Sequence, residues 1–212
     1  HFVANRIRKY YRRESSVVFP PVNVEQFNIS PDVQPHYLWL GQMTAYKRPS
    51  LAIEAFNRLG LPLLMVGDGE LEPKLRAQAS SNIKFAKNLS FAELQKTYAT
   101  ARGLIFTAEE DFGIVPVEMM ASGRPVLAYR RGGALDTVTD NVSGRFFEDA
   151  SVDGLIAAIQ GFERFLQDFS PQACKDSVAR FAPEYFDAAF RANVDATLYQ
   201  VSNPGRAVVT GI

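Results

Sequence analysis

Short apolar runs alternate with longer segments of helical periodicity along most of this chain. The runs are bounded mainly by Gly, Pro or Asn, which is typical of strands, and they occupy residues 17–19, 37–40, 63–66, 83–85, 104–106, 126–128 and 145–147. The segments between them predict helices at 49–59, 71–79, 91–101, 115–122, 134–139 and 152–168. Strands joined through helices form right-handed crossovers and a mainly parallel sheet. The predicted class is therefore a doubly wound α/β fold.

The two ends of the chain depart from this alternation. The opening residues show a helical pattern with an apolar side that includes Phe2 and Ile7. Residues 170–200 are helical throughout and predict one or two terminal helices that pack back on the body. Residues 201–212 contain proline and glycine without periodicity, which predicts a mobile tail.

Composition limits any anion site to a local feature. Lys plus Arg equals Asp plus Glu at 23 each, so the net charge is zero and exerts no general attraction on nucleic acid or anionic lipid. The single cysteine fits a reducing compartment, and no apolar run approaches the roughly 20 residues that span a bilayer. We expect a cytoplasmic protein, either free or at the inner face of the membrane.

A basic cluster lies within the first helical segment and just after it. Interleaved with two tyrosines, its cations have the composition of a surface that touches a membrane or RNA; they are Arg6, Arg8, Lys9, Arg12 and Arg13. A solvated helix face explains the same pattern more simply. We expect no nucleic-acid partner and at most peripheral membrane contact.

The loop after the fifth apolar run carries the strongest chemical signal. Residues 110–118 read EDFGIVPVE, and a helix begins near Ile114 or Val115. Pro116 suits the first helical turn, where a missing N–H costs nothing, and Gly113 lets the backbone approach a ligand. The free N–H groups and the positive end of the helix dipole form an anion site. A diphosphate is a natural occupant.

Glu110 and Glu118 need a separate explanation, because carboxylates repel a diphosphate. Each can accept hydrogen bonds from a vicinal diol, such as that of a ribose or a hexose. Their separation lets them reach opposite ends of one ligand. By spacing alone, a simpler interpretation is equally good: Glu110 is a solvated loop acid, and Glu118 caps the helix or pairs locally.

Two further loops contain candidate phosphate contacts. Residues 41–49 read GQMTAYKRP, in which Lys47 or Arg48 can neutralise phosphate charge. An exposed basic residue at a helix start is the simpler interpretation, although a cation there opposes the helix dipole. Residues 130–134 read RRGGA, which can either expose backbone N–H groups to an anion or form only a tight turn.

Other kinds of site find no support in the sequence. His1 and His36 are the only histidines, and with one cysteine they build no metal cluster. The glycine and lysine pattern of a P-loop and the G-x-S-x-G elbow of hydrolases are both missing. We predict neither a metal nor a cofactor.

Seven pieces of the sequence, taken in order, resemble family-4 glycosyltransferases of the GT-B fold, in particular bacterial mannosyltransferases of O-antigen and exopolysaccharide assembly. The resemblance runs from about Phe2 to Tyr199. The pieces are FPPV at 19–22 with Phe27, Gly41 with Lys47, AIEAF at 52–56, VGDG at 66–69, residues 110–118, ASGRPV at 121–126 and GGALD at 132–136.

The resemblance implies catalytic roles for two residues. Glu110 would contact the donor sugar, and Lys47 would bind phosphate and help the leaving group depart. Glu118 would bind the ribose hydroxyls. The family retains the anomeric configuration without a protein nucleophile and without an active-site metal, because a lysine and a helix dipole supply the charge neutralisation.

The other contacts that the resemblance implies are with the nucleotide. Backbone N–H groups around Gly113 and Ile114 would hold the diphosphate, and residues 85–89 would lie near the base. The full set of predicted donor-binding residues is Gly41, Gln42, Lys47, Arg48, Phe85, Glu110, Phe112, Gly113, Ile114, Val115 and Glu118.

Two positions depart from the family pattern. The family usually has an arginine directly after Gly41, and this chain has Gln42, so one expected phosphate cation is missing. We hypothesise that Arg48 partly compensates. The family also commonly has a glycine where Lys87 stands, which leaves the contacts to the base open.

The resemblance also implies a domain layout, that of the second, Rossmann-like half of a GT-B fold. Residues 1–15 would end the connection from a missing N-terminal domain, and residues 16–181 would form the nucleotide-sugar-binding domain. Residues 182–200 would form a helix that crosses back to the first half, and residues 201–212 a mobile tail.

The predicted function is that of the donor-binding half of a retaining glycosyltransferase. The enzyme would transfer a hexose, preferably mannose from GDP-mannose, to a glycan or lipid-linked acceptor. The N-terminal domain would be a necessary partner. The alternatives are a UDP-sugar donor, a non-catalytic nucleotide-binding module, and a flavodoxin-like interaction domain. The last needs neither the glutamate pair nor the glycine-rich strand ends. We expect the isolated chain to bind a nucleotide sugar weakly and to transfer nothing.

Overall fold

The computed structural model describes residues 1–203, in which strands and helices alternate as the sequence predicts. The strands are β1 Tyr37–Leu40, β2 Leu63–Val66, β3 Ile83–Ala86, β4 Leu104–Phe106, β5 Val126–Tyr129 and β6 Gly144–Phe147. The helices are α1 Phe2–Tyr11, α2 Pro49–Leu59, α3 Glu72–Gln78, α4 Phe91–Thr100, α5 Ile114–Ala121, α6 Ala134–Thr137, α7 Val152–Phe165, α8 Pro171–Asp176 and α9 Pro183–Ser202. Short 3-10 helices lie at Val24–Gln26, Ala45–Lys47 and Ala179–Phe181.

The six strands form one sheet in the order β3-β2-β1-β4-β5-β6, and every neighbouring pair is parallel. The chain therefore builds outward from β1 to one edge, returns through α4 to the centre, and builds outward from β4 to the other edge. The order reverses between β1 and β4. In open α/β sheets, ligands bind in the crevice at that reversal, beyond the carboxyl ends of the strands.

Helices cover both faces of the sheet, and each face has its own hydrophobic core. Leu104 and Phe106 point into the core that α5 covers with Val117. Ile105 points to the opposite core, which α2 covers with Ile53. Burial on both faces explains why the strands read as continuous apolar runs, as is typical of parallel sheets. The predicted doubly wound, Rossmann-like α/β fold is confirmed.

The strand predicted at residues 17–19 is wrong. Within the described residues this segment pairs with no strand, and its apolar side chains have a different use. Phe19 packs edge-on against Phe181, with ring centroids 5.4 Å apart, and also contacts Phe112 at 5.9 Å. The amide of Val22 donates to the carbonyl of Phe181 over 2.8 Å. Aromatic packing, rather than a sheet ladder, accounts for Phe19.

The C-terminal part contains two α-helices, within the predicted number of one or two. Residues 170–200 do not form continuous helix: Pro171 and Pro183 each begin a separate one, as prolines at a first turn do. The tail predicted for 201–212 is wrong at its first residues, because Val201 and Ser202 belong to α9. Residues 204–212 lie outside the described part of the chain.

The last helix lies along the surface of the body. α9 has no buried residue, and its half-buried positions Phe186, Ala189, Asn193 and Ala196 follow helical spacing along one side. The hydroxyl of Ser16 donates a hydrogen bond to the side-chain carbonyl of Asn193. The prediction that this helix crosses to another domain stays a prediction.

Candidate functional site

An open cleft of about 580 Å³ lies at the carboxyl ends of the central strands. It is bounded by the loop after β1 and the loop between β4 and α5, which flank the reversal in strand order. The residues that line it are Pro20, Tyr46, Lys47, Glu109, Glu110, Asp111, Phe112, Gly113, Ile114 and Val115. Most of the residues predicted to form a site therefore meet here.

Lys47 and Glu110 form an ion pair across the cleft. The Nζ of Lys47 lies 2.8 Å from Oε1 of Glu110, and the two side chains are only 17 % and 21 % exposed. Within residues 1–203 the contact is an ion pair only, and Oε1 accepts no hydrogen bond. A Cβ on Gly41 would lie 3.3 Å from Nζ of Lys47, so the missing side chain leaves room for the lysine.

A buried hydroxyl connects the two loops that carry this pair. The hydroxyl of Thr107 donates to the carbonyl of Lys47 over 2.6 Å and accepts from the indole N–H of Trp39 over 3.1 Å. Thr107 is 1 % exposed and follows β4 directly, three residues before Glu110. The indole and the hydroxyl together fix the backbone of the short helix that carries Lys47.

The glycine pair after β5 supports the loop of Glu110. The amide of Gly133 donates to the carbonyl of Glu110 over 2.7 Å, so it is not free for a ligand. A Cβ on Gly133 would lie 2.4 Å from Cα of Phe112 and 2.6 Å from the carbonyl oxygen of Asp111. No side chain fits there. Of the two alternatives for residues 130–134, the Gly133 amide therefore supports the tight turn and not the anion site.

Helix α5 presents its N-terminus to the cleft. Gly113 precedes it with φ +86°, a left-handed conformation that favours glycine. Within the described residues the amides of Gly113, Ile114 and Val115 donate no hydrogen bond, as is usual in a first helical turn. The three residues that carry these N–H groups line the cleft together with Lys47, at the positive end of the helix dipole.

Glu118 lies one turn into α5 and is held by a tyrosine. The hydroxyl of Tyr98, from α4, donates to Oε2 of Glu118 over 2.7 Å. Burial raises the pKa of Glu118 above its usual value, and the hydrogen bond from Tyr98 opposes that rise. Burial, with the adjacent carboxylate, also raises the pKa of Tyr98, so its hydroxyl stays protonated. Glu118 is half-buried and is not among the residues that line the cleft, so its predicted contact with the ribose stays a prediction.

Some predicted residues lie away from the cleft. The guanidinium of Arg48 lies 4.6 Å over the ring of Tyr129, and Arg48 is not among the lining residues. This position does not support the hypothesis that Arg48 replaces the missing phosphate cation. Gln42 is exposed on the same loop and also does not line the cleft. Phe112 lines it, but its ring packs edge-on on Phe181, 5.3 Å away, so its backbone is the part available to a ligand.

The segment predicted to lie near the base is at the edge of the sheet. Phe85 lies in β3, three strands from β4 and so about 14 Å across the sheet at the usual spacing. The guanidinium of Arg76 covers its ring at 4.6 Å. Lys87, where the family commonly has glycine, lies 3.4 Å from Oε2 of Glu72. Phe85 thus lies across the sheet from the loop of Glu110, and its predicted contact with the base stays a prediction.

Acidic groups outnumber the cations that line the cleft. The cleft is lined by one cation, Lys47, and by three acids, Glu109, Glu110 and Asp111. A second cation, Arg6 of α1, lies nearby, with its Nη1 3.1 Å from Oδ1 of Asp111. Both side chains of that second pair are more than half exposed, so it contributes little stability. Within residues 1–203, no three acidic, histidine or cysteine side chains are grouped to hold a metal ion. No described helix has the length and apolar character to cross a membrane.

Sequence reasoning missed Thr107, Trp39 and Tyr98. Tyr98 lies four residues after Leu94 on the apolar side of α4, where a tyrosine must place its hydroxyl beside a partner. Thr107 is a polar residue directly after a fully buried strand. Both are visible signals in the sequence, because a buried polar group requires a hydrogen-bond partner.

The model of the family described as "Glycosyl transferases group 1" matches residues 21–168, a span that contains both cleft loops. The chain belongs to this family. The suspected relationship is thereby confirmed, and the chain is a domain of the glycosyltransferase class.

Two relatives are mannosyltransferases by name. The chain is 32 % identical to "GDP-Man:Man(3)GlcNAc(2)-PP-Dol alpha-1,2-mannosyltransferase" of Xenopus tropicalis, over 84 % of its own length and 43 % of that protein. It is 25 % identical to "O-antigen chain mannosyltransferase C" of Escherichia coli, over 75 % of its own length and 47 % of that protein. The chain thus spans less than half the length of either.

Solved structures support the fold. A glycosyltransferase from Rickettsia africae ESF-5 superimposes with a TM-score of 0.78 at 22 % identity, covering 95 % of this chain and 62 % of that one. The fold of this group 1 glycosyltransferase domain is therefore found in a solved glycosyltransferase. At this identity the likeness concerns the fold alone.

Proposed function

We propose that this domain binds the nucleotide-sugar donor of a retaining glycosyltransferase, with GDP-mannose as the preferred donor. The observation that carries the proposal is the ion pair of Lys47 and Glu110, 2.8 Å apart beside the open N-terminus of α5. One cation, a set of free amides and one carboxylate are together what a sugar diphosphate requires. The preference for mannose draws on the two mannosyltransferase relatives.

The diphosphate lies at the N-terminus of α5 in this proposal. The amides of Gly113, Ile114 and Val115 donate to its oxygens, and Lys47 neutralises part of its charge. As the bond between the sugar and the diphosphate breaks, negative charge grows on the phosphate oxygen. A cation and a helix dipole that already point there stabilise the leaving group without rearrangement.

The two glutamates hold the ends of the donor. Glu110 accepts hydrogen bonds from hexose hydroxyls, and Glu118 accepts them from the ribose. A carboxylate satisfies this role only when it is ionised, and Tyr98 supports ionisation of Glu118 by donating to it. Retention of the anomeric configuration follows from the family resemblance, and an NMR assignment of the product anomer tests it.

The acceptor side belongs to residues outside this chain in the same proposal. The chain covers 43 % of the Xenopus protein, so the remaining length is available for a glycan or lipid-linked acceptor and for a contact with α9. We expect the 212-residue chain to bind the donor weakly and to transfer no sugar. We place the whole enzyme in the cytoplasm, in peripheral contact with the membrane at most.

Calorimetry of the chain with GDP, GDP-mannose, UDP and UDP-glucose tests this proposal. Lys47→Ala is expected to lower affinity by tenfold to hundredfold, because hydrogen bonds to charged groups contribute about 1.5–3 kcal/mol. The matched control is Lys74→Ala, which removes an exposed lysine on α3 away from the cleft. Preference for UDP-glucose would overturn the mannose assignment. Failure of all four ligands to bind would overturn donor binding itself.

A further inference from the structure

The Lys47–Glu110 ion pair is largely shielded from solvent. Each side chain is about four-fifths covered, and each has the other as its counterion. Glu110 Oε1 lies in a buried position where it accepts no hydrogen bond from any described residue. A carboxylate oxygen in that position has unused capacity to accept hydroxyl hydrogens. Its charge is balanced only as long as Lys47 stays beside it.

We propose that this ion pair makes the site select sugar-bearing nucleotides over bare nucleoside diphosphates. The inference rests on the proposed donor-binding function and adds to it a preference between two classes of ligand. A diphosphate that takes Lys47 as its counterion removes that cation from Glu110. The selection depends on what the ligand then offers to the carboxylate.

A bare nucleoside diphosphate offers nothing to Glu110. It leaves a mostly covered carboxylate without a counterion, and it places its own negative charge nearby. Uncompensated charge in a covered position is costly, because the surroundings cannot hydrate it. The ion pair therefore resists binding of the bare diphosphate.

A nucleotide sugar compensates the loss. Once the diphosphate has taken Lys47 as its counterion, the hexose hydroxyls can donate to both oxygens of Glu110, including the Oε1 that faced the ammonium. The ion pair is exchanged for two sets of charge-assisted hydrogen bonds. This weaker binding of the bare nucleoside diphosphate also favours its release once the sugar has been transferred, because Lys47 can then return to Glu110.

Glu110→Gln separates this idea from simple donor binding. The change is nearly isosteric and frees Lys47 from its counterion. We expect the variant to bind GDP about tenfold more tightly than the parent chain, since one charge-assisted contact becomes available without loss of another. Affinity for GDP-mannose should change by less than about threefold, so the preference for the sugar nucleotide should largely disappear.

Two controls distinguish exchange of the Lys47–Glu110 ion pair from general charge repulsion between the acids of the cleft and the diphosphate. Glu109→Gln removes the same charge from an exposed neighbour that also lines the cleft, and it should change GDP affinity by less than about twofold. In a Lys47→Gln background, Glu110→Gln should lose most of its tenfold effect, because no cation remains to be released. Thermal unfolding of each variant establishes that all are folded.

The outcomes are distinct. A gain in GDP affinity that needs Lys47 and Glu110 together supports the inference. An equal gain in the Lys47→Gln background, or from Glu109→Gln, shows ordinary charge repulsion and overturns it. Unchanged GDP affinity in Glu110→Gln also overturns it, while donor binding by the parent chain stands. If the parent chain binds no nucleotide at all, the proposed function fails and the inference fails with it.

Discussion

The hydroxyl of Thr107 donates a 2.6 Å hydrogen bond to the backbone carbonyl of Lys47. This contact spans the point where the strand order reverses, because Thr107 follows β4 and Lys47 belongs to the loop after β1. The two loops that face each other across the cleft are thus joined beneath it. We therefore expect the position of the Lys47 ammonium to depend on Thr107, a residue that does not line the cleft.

Thr107→Val should destabilise the fold and weaken nucleotide binding. The valine keeps the shape but leaves the Trp39 N–H and the Lys47 carbonyl without their partner, at a cost of about 1–3 kcal/mol. Urea unfolding and calorimetry measure the two effects. Thr107→Ser keeps the hydroxyl and should retain most of both. Equal nucleotide affinity in the valine variant would show that the position of Lys47 does not depend on Thr107.

Gly133→Ala should shift the loop that carries Glu110. Its methyl group would overlap the backbone of residues 111 and 112, and overpacking of this kind costs about 1–3 kcal/mol. Gly161→Ala is the matched control, because that position is open and lies inside α7, where alanine should stabilise by up to about 1 kcal/mol. Opposite shifts in unfolding midpoint are expected. A stabilised Gly133→Ala variant would contradict the close approach of the two loops.

Much of this fold follows from the sequence alone. The six strands of the sheet are visible as apolar runs, and their parallel arrangement brings the loops after β1 and β4 to one edge. That is sufficient to bring residues 47 and 110 near each other. The start of α5 is also readable, since Gly113 and Pro116 favour a helix that begins between them.

Side-chain directions in the cleft do not follow from the sequence. Arg48 has φ 53°, a left-handed conformation that is uncommon outside glycine and carries no sequence signal at this position. Its side chain lies on Tyr129 instead of entering the cleft beside Lys47. The role of Gly133 is equally hidden, because close approach to residues 111 and 112 is a tertiary contact between distant loops.

Tyr98→Phe should make nucleotide binding more sensitive to acid. Burial already raises the pKa of Glu118, and loss of the Tyr98 hydrogen bond raises it further. Because ionised Glu118 is the form that accepts ribose hydroxyls in our proposal, affinity should fall with decreasing pH, and at a higher pH in the variant. Calorimetry between pH 7.5 and 4.5 measures this. Tyr46→Phe, in the cleft but without a hydrogen bond to Glu118, should leave the profile unchanged.

His36 should make the stability of the domain fall in mild acid. Its Nε2 is buried and has no hydrogen-bond partner within residues 1–203, and burial lowers the pKa of the imidazole. The unfolded chain therefore binds this proton more readily than the folded one. The neutral imidazole's contribution is complete above about pH 6.5 and is lost as the pH falls toward and through the folded pKa.

Urea unfolding midpoints at pH 7.5 and 5.5 measure this loss. The drop between the two pH values should be smaller in His36→Gln, which cannot gain the charge. His1→Gln is the matched control, because His1 is the other histidine and is exposed. It should behave like the parent chain. Parallel drops in the parent and His36→Gln would assign the acid sensitivity to carboxylates instead, because those groups are common to both chains.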